Sequence, residues 1–462
     1  MKGEDKGSLN RMKKLVTRVI VFCVLSGASV STALADTGKI PTLFDPKTTT
    51  LENGMDVVVI EDHRAPVVTH MVWYRAGSAD EPAGKSGIAH FLEHLMFKGT
   101  KKIPSGQFSA IVAQNGGQDN AFTSSDYTAY YQNASVDKLP LLMEMEADRM
   151  TNLILSDDAV GAELQVVLEE RSQRTDNNPN ALLGEQMGAA QFLAHPYGTP
   201  VIGWRHEIEQ LTTQDAINWY KKHYAPNNAI LVVAGDVDAN DVFELAKKYY
   251  GPAKPIEIEP RVRLQEPPQL AKRILVMKDK RVREPSWRQV YLAPSARTGD
   301  LGEVRALEVL TEILGGGVTS RLYSKLVIDE KIAASVGSYY RSGSFDPSGF
   351  TLYGVPSNGT NLGELEEKIA AIISDVVEKG VTEEEVTRAK KQLLAAAIYA
   401  RDSISGAANI FGGALASGEA LDNIVNWPAQ INQVTAEQIQ QAAKKVFVDR
   451  QSVVGHLLPE GK

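Results

Sequence analysis

Two imidazoles and a carboxylate lie within five residues of this chain, His90-Phe91-Leu92-Glu93-His94. At about 100° per residue on a helix, His90, Glu93 and His94 share one face, while Ile88, Phe91, Leu92, Leu95 and Met96 fall on the other. That division predicts a helix with one packed face and one chemical face. Two histidines one turn apart can each offer a nitrogen to one zinc ion at about 2.0–2.1 Å, and a catalytic zinc takes three protein ligands and keeps a position open. Glu93 is then placed to take a proton from a water whose pKa the metal lowers to about 7. The order H-x-x-E-H reverses the commoner H-E-x-x-H. Two histidines on a helix also suit an ordinary surface or core, so the zinc reading needs a third ligand from another element.

The segment Gly161–Arg171 can supply it. Its pattern predicts a helix that buries Leu164, Val167 and Leu168 and carries Glu163 and Glu170 two turns apart on a shared face. Glu169 reads as part of a solvated charged face, and Glu170 suits either that face or a metal.

These residues carry a resemblance. The chain resembles the pitrilysin/insulinase family of zinc peptidases, the inverzincins, and within it the processing-peptidase-like bacterial branch. That family follows H-x-x-E-H with a helical glutamate ligand about 75 residues after the second histidine. Glu170 stands at that spacing, and Glu163 matches a second family glutamate seven residues earlier. The resemblance implies one zinc per chain on His90, His94 and Glu170, with Glu93 as general base and Glu163 orienting the site. Asn120–Tyr131 is similar to the family's substrate-side strand, which implies Asn120, Ala121, Phe122 and Thr123 as substrate-binding residues. His195–Gly203 resembles a loop that follows the ligand helix. The similarity runs over roughly residues 45 to 455.

Residues 1–35 open on Lys13, Lys14 and Arg18, continue through an apolar run from Val19 to Leu25, and end on Ala33-Leu34-Ala35. That is the pattern of a secretory signal peptide, too short in its apolar part for a membrane span, with Met12 as an alternative start. The one cysteine, Cys23, falls inside it. Export without disulfides predicts a periplasmic or secreted bacterial protein whose cores need no staples. A formal net charge of −8 and the absence of basic clusters argue against nucleic acid or an anionic membrane as partner.

A chain of 462 residues exceeds what one hydrophobic core usually serves. The proline-rich, charged stretch 251–268 reads as an extended, stiff linker between a zinc-bearing domain, 36–250, and a second domain, 269–462. Strand-like runs at Met55–Ile60, Val67–Ala76, Tyr127–Tyr131 and Ala229–Asp236, with helices among them, are followed by a similar order: strands at Arg273–Lys278, Trp287–Leu292, Ala334–Tyr340, Gly349–Val355 and Ser452–His456, with helices at 302–314, 320–329, 363–379 and 382–400. The fold expected is α+β, two similar domains from an internal duplication, each a mostly antiparallel sheet covered by helices on one face.

The remaining histidines, His63, His70, His195, His206, His223 and His456, read as structural. Gly315-Gly316-Gly317 lacks the Gly-Lys of a phosphate loop and reads as a turned start to a helix. Self-sufficient members of the family, and the complementary subunits of paired ones, share an Arg and a Tyr seven residues apart that stabilise the oxyanion. On that pattern this chain has Val327 and Ala334, neither of them a donor, while Arg321, Tyr323, Tyr339, Tyr340 and Arg341 stand nearby. The expected activity is that of a zinc endopeptidase subunit cleaving short or unfolded peptides in a closed chamber, completed by a homologous subunit that carries the Arg/Tyr pair. The alternative is a non-catalytic structural or peptide-binding subunit of a larger complex.

Overall fold

The runs Val57–Ile60, Met71–Tyr74 and Ala229–Gly235 are apolar at every position, which a half-solvated sheet would not require. In the computed structural model, which describes residue 42 and residues 44–461, the reason is that both faces of these strands are covered. The leader read at 1–35 lies outside the described residues. Strands β1 (Lys47–Thr50), β2 (Asp56–Glu61), β3 (Val67–Tyr74), β4 (Gln118–Thr123), β5 (Thr128–Ser135) and β6 (Ala229–Gly235) form a six-stranded sheet in the order β1-β2-β6-β3-β5-β4. Side chains alternate between faces along a strand. Val57 and Val59 accordingly join one core with Phe91, Leu92 and Leu95, while Val58 and Ile60 join another with Trp73 and Phe411.

Strands β7 (Arg273–Asp279), β8 (Ser286–Ala293), β9 (Ala333–Tyr340), β10 (Ser348–Pro356) and β11 (Ser452–Pro459) form a second sheet in the order β7-β11-β8-β10-β9. Matched in chain order, β2 to β6 and β7 to β11 have the same spatial arrangement. Each sheet also has its single parallel pair at the same place, β2 with β6 and β7 with β11. The architecture is α+β and the two halves repeat one topology, as the sequence led us to expect.

The halves then exchange helices. Helix Ile404–Ala416 of the second half lies on the outer face of the first sheet, with Phe411 and Ala408 against Met71, Trp73 and Val232. Helix Pro179–Gln191 of the first half lies on the second sheet, with Leu183 and Met187 against Val453 and Leu457. Helices on one face only is therefore an incomplete expectation: each sheet borrows cover for its second face from the other half. The described residues form one compact unit.

The stretch 251–268 is without regular structure, as its prolines imply, but it is more than a spacer. Arg263, buried to 4 % side-chain exposure, pairs with Asp126 at 2.6 Å, Asp80 at 3.0 Å and Asp346 at 3.3 Å. These carboxylates come from both halves. Two further expectations are corrected. Asn120–Tyr131 is not one strand but the hairpin β4–β5, because Ser124 and Asp126 make a turn in which Ser124 Oγ accepts from the backbone N–H groups of Asp126 and Tyr127. The predicted helix 320–329 has one α turn at Arg321–Tyr323 and continues as a π-helix over Ser324–Asp329.

The exchanged helix meets Trp73 at Gly412, where an added Cβ would lie 2.1 Å from the indole ring. Alanine favours a helix by up to about 1 kcal/mol over glycine, but overpacking a rigid core costs about 1–3 kcal/mol. Gly412→Ala should lower the apparent Tm, whereas Gly455→Ala, whose nearest contact is the flexible Met187 sulfur, should lower it less; thermal denaturation followed by circular dichroism checks the order.

Candidate metal centre

The helix Ile88–Leu95 starts from backbone that only the local residues permit. Its N-cap, Gly87, has φ 89°, and Gly203 faces it with φ 89°. A Cβ on Gly87 would come within 2.6 Å of the Ile202 carbonyl oxygen, and one on Gly203 within 2.5 Å of the Ser86 carbonyl oxygen. Glu81 accepts hydrogen bonds from the backbone N–H groups of Gly87 and Ala89, both at 2.9 Å, and so satisfies donors that the first turn leaves unpaired. The loop His195–Gly203 thus supports the start of this helix. His195 contributes no ligand; its Nε2 meets Asp346 at 3.1 Å.

Ile88, Phe91, Leu92, Leu95 and Met96 are all buried in the core, and the opposite face presents His90, Glu93 and His94. A second helix, Asp157–Arg171, buries Val167, packs Leu164 and Leu168 against the same core, and brings Glu163 and Glu170 to the histidines. It ends one residue after Glu170, where the chain turns into a π-helix over Ser172–Asp176. Arg171 anchors that junction through Glu185 and the Gly203 carbonyl oxygen.

Glu170 Oε2 lies 3.2 Å from His94 Nε2 and 3.7 Å from His90 Nε2. All three ligand atoms fall within 4.8 Å of one another. Two ligands about 2.0–2.1 Å from a tetrahedral zinc are about 3.3 Å apart, so the donor set fits that ion. His94 Nδ1 donates to Glu163 Oε1 at 2.8 Å, which directs Nε2 toward Glu170. Glu163 also pairs with Lys98. His90 Nδ1 has no hydrogen-bond partner among the described residues.

The surroundings drive the two histidines apart. Burial, reinforced by the charge on His94, pulls the His90 pKa down to about 4. Burial also opposes a charge on His94, but hydrogen bonds to Glu163 and Glu170 outweigh it and lift that pKa to about 9. The bond from His94 holds the Glu170 carboxyl below its ordinary range. Burial raises the Glu93 pKa, and the hydroxyl of Thr123, donating to Glu93 Oε2 at 2.6 Å, limits the rise.

The four residues read as substrate-binding all lie on β4, the outermost strand of its sheet. They divide between its faces. Ala121 and Thr123 face the side of the metal-binding cluster, Ala121 packed against the first core. Asn120 and Phe122 face the other side, where the Phe122 ring packs edge-on to Trp73 at 5.2 Å. Three of the other expected bystanders are spent elsewhere: His70 between Gln132 and Tyr250, His63 on Asp236, His456 on Glu366. Sequence reasoning missed Glu81, Lys98 and the orienting role of Thr123, none of which has a spacing signal.

Residues 56–204 match the family model Insulinase (Peptidase family M16), and residues 210–393 match the Peptidase M16 inactive domain. The chain is 33% identical over 413 residues to the zinc protease PqqE of Helicobacter pylori, covering 89% of this chain and 92% of that protein. A crystal structure of a protease from Helicobacter pylori superimposes with a TM-score of 0.85 at 32% identity, covering 90% of this chain and 100% of that one. A probable mitochondrial-processing peptidase subunit beta of Schizosaccharomyces pombe is 29% identical, covering 88% and 90% of the two chains. The chain belongs to the insulinase family of peptidases, M16. Among the described residues no helix is long and apolar enough to cross a membrane.

In the metal-free protein, His94 with a pKa of about 9 against an ordinary 6.5 adds stability that is fully present below 6.5 and is lost as pH rises through 9. Zinc must displace that proton. Binding near neutral pH should release close to one proton, from His94 and not from His90, and apparent affinity should climb about tenfold per pH unit up to about pH 9. Calorimetry in buffers of different ionisation enthalpy measures the proton count.

Proposed function

We propose that this chain is a zinc endopeptidase subunit that cleaves short or unfolded peptides. One observation carries the reading: the ligand atoms of His90, His94 and Glu170 converge beside a buried carboxylate, Glu93, that ligates nothing and is held by Thr123. The names of the relatives, zinc proteases among them, support it. A bound zinc supplies a Lewis acid that polarises the peptide carbonyl and acidifies water.

The chain's own residues do the rest. Glu93 takes the proton of the attacking water and returns it to the leaving amine, and burial matches its basicity to that exchange. Glu163 keeps the His94 ring turned. The outer edge of β4 pairs with the peptide backbone as an added strand, which gives affinity without demanding one sequence. The second half closes the cleft over it and favours chains that are short or unfolded. The leader pattern supports export to the periplasm.

A homologous partner subunit belongs to the proposal. Val327 packs into the second core and Ala334 is exposed on β9, and neither side chain donates a hydrogen bond. Of the nearby residues, Arg321 is held by Glu385 and Tyr340 donates to the Pro294 carbonyl oxygen. The name of the yeast relative, a processing-peptidase subunit, supports the pairing.

Purified protein should hold about one zinc per chain. Glu93→Gln should keep the metal and lose about 10²–10⁴ in kcat, whereas His90→Ala with His94→Ala should lose metal and activity together; metal analysis and a quenched-fluorescent peptide assay decide between this and a structural role.

The chain alone should turn over peptides about 10²–10³ more slowly than a mixture with a homologous subunit that supplies the Arg/Tyr donors. Equal rates with and without that subunit, with no complex in light scattering, would remove the partner from the proposal.

A further inference from the structure

Beside the metal-binding cluster lies a cavity of about 740 Å³ walled by both halves. Thr123 is in its lining and also holds Glu93, so the cavity adjoins the carboxylate proposed as general base. The second half contributes two guanidinium groups, Arg288 from β8 and Arg341 from the turn after β9. Arg288 is half-buried and Arg341 stands exposed at the rim, and neither side chain has a hydrogen-bond or ion-pair partner among the described residues, whereas Arg263, Arg297, Arg171 and Arg321 are all paired.

The one acidic residue in the lining, Asp126, does not neutralise them. Its carboxylate takes Arg263 at 2.6 Å and the Tyr197 hydroxyl at 2.7 Å. A third donor is also idle: Gln191, 9 % exposed, lines the cavity and its Nε2 has no partner. Room is kept by glycines of the helix Pro179–Gln191. A Cβ on Gly188 would meet nothing within 4 Å, and one on Gly184 would meet only Arg288 Nη1, at 3.2 Å.

A half-buried cation and a buried, unpaired amide donor in a recess, with a second unpaired cation at its rim, call for an anionic complement. A guanidinium is planar and presents paired N–H groups that match the two oxygens of a carboxylate. A lysine or arginine of a substrate would meet like charge, and a neutral side chain would leave the donors to water.

We propose that this cavity selects peptides by a carboxylate close to the scissile bond, held by Arg288 and Arg341 with Gln191 as a further donor. The proposal rests on the peptidase reading and adds its substrate class: the first half supplies the chemistry and the second half the preference. The carboxylate comes either from an aspartate or glutamate side chain or from the C-terminus of a short peptide.

The test uses the zinc-loaded full chain carrying Glu93→Gln, which binds without turnover, and fluorescein-labelled peptides read by anisotropy. One series varies a single internal position among Glu, Gln and Lys, and a second compares a free C-terminal acid with its amide. A carboxylate should bind about tenfold or more tightly than its neutral counterpart, and the advantage should shrink in high salt. The series that shows it names the source. Arg288→Gln should bring the ratio near one, and Arg288→Glu combined with Arg341→Glu should turn the preference toward Lys.

Equal affinity for acidic and neutral peptides in both series, or a preference that survives both arginine changes, overturns the proposal. Cleavage of any peptide by the chain with native Glu93, with or without the homologous subunit, is scored separately. Discrimination without cleavage supports the carboxylate site and overturns the peptidase reading; cleavage without discrimination overturns the carboxylate site alone.

Discussion

The buried guanidinium of Arg263 is the interaction on which the shape of the cleft depends. An uncompensated charge in the interior is costly, and removing one partner of a buried ion pair typically costs about 3–5 kcal/mol. Arg263 meets that requirement only with Asp80, Asp126 and Asp346 all in place. Asp80 stands next to Glu81, which caps the histidine helix. Asp126 is in the turn of the β4–β5 hairpin, and Asp346 is in the loop between β9 and β10, beyond Arg341. One cation therefore ties together the start of the histidine helix, the edge strand beside it and the far wall of the cavity. Tyr197, donating to Asp126 and accepting from the backbone N–H of Asp346, repeats the link between halves.

The cluster of His90, His94 and Glu170 uses the same physics in the opposite direction. Here desolvation is left partly uncompensated. His90, deep and without a partner on Nδ1, is kept neutral, while His94 is charged because two carboxylates face it. The cluster thus sets one imidazole whose charge is disfavoured beside one whose charge two carboxylates favour. Glu163 holds His94 in either state, since its oxygen accepts from Nδ1 whether Nε2 carries a proton or a metal.

Exchange of helices between the halves makes the cleft a property of the whole chain. The helix Pro179–Gln191 packs Leu183 and Met187 onto the second sheet and contributes Gly184, Gly188 and Gln191 to the cavity. The helix Ile404–Ala416 returns the contact on Trp73. With both sheets covered in this way, the edge strand β4 and the second-half residues Arg288 and Arg341 belong to one compact body.

Local chemistry was legible in the residues themselves. The helix at 88–95, the helix carrying Glu163 and Glu170, nine of the eleven strands in some part, and the repeated order of the halves all follow from periodicity, because burial of one face leaves a period that the chain displays. His90, Glu93, His94, Glu163 and Glu170 were legible through spacing and family resemblance. What only the tertiary structure decided is pairing across distance. Arg261 and Arg263 look like solvated charges in a proline-rich linker, and a sequence cannot tell a charge that water will hold from one that three remote carboxylates will hold. Trp73 and Gly412, Arg288 and Gly184, and Thr123 and Glu93 are likewise neighbours only after folding, since each contact joins elements whose separation along the chain carries no period.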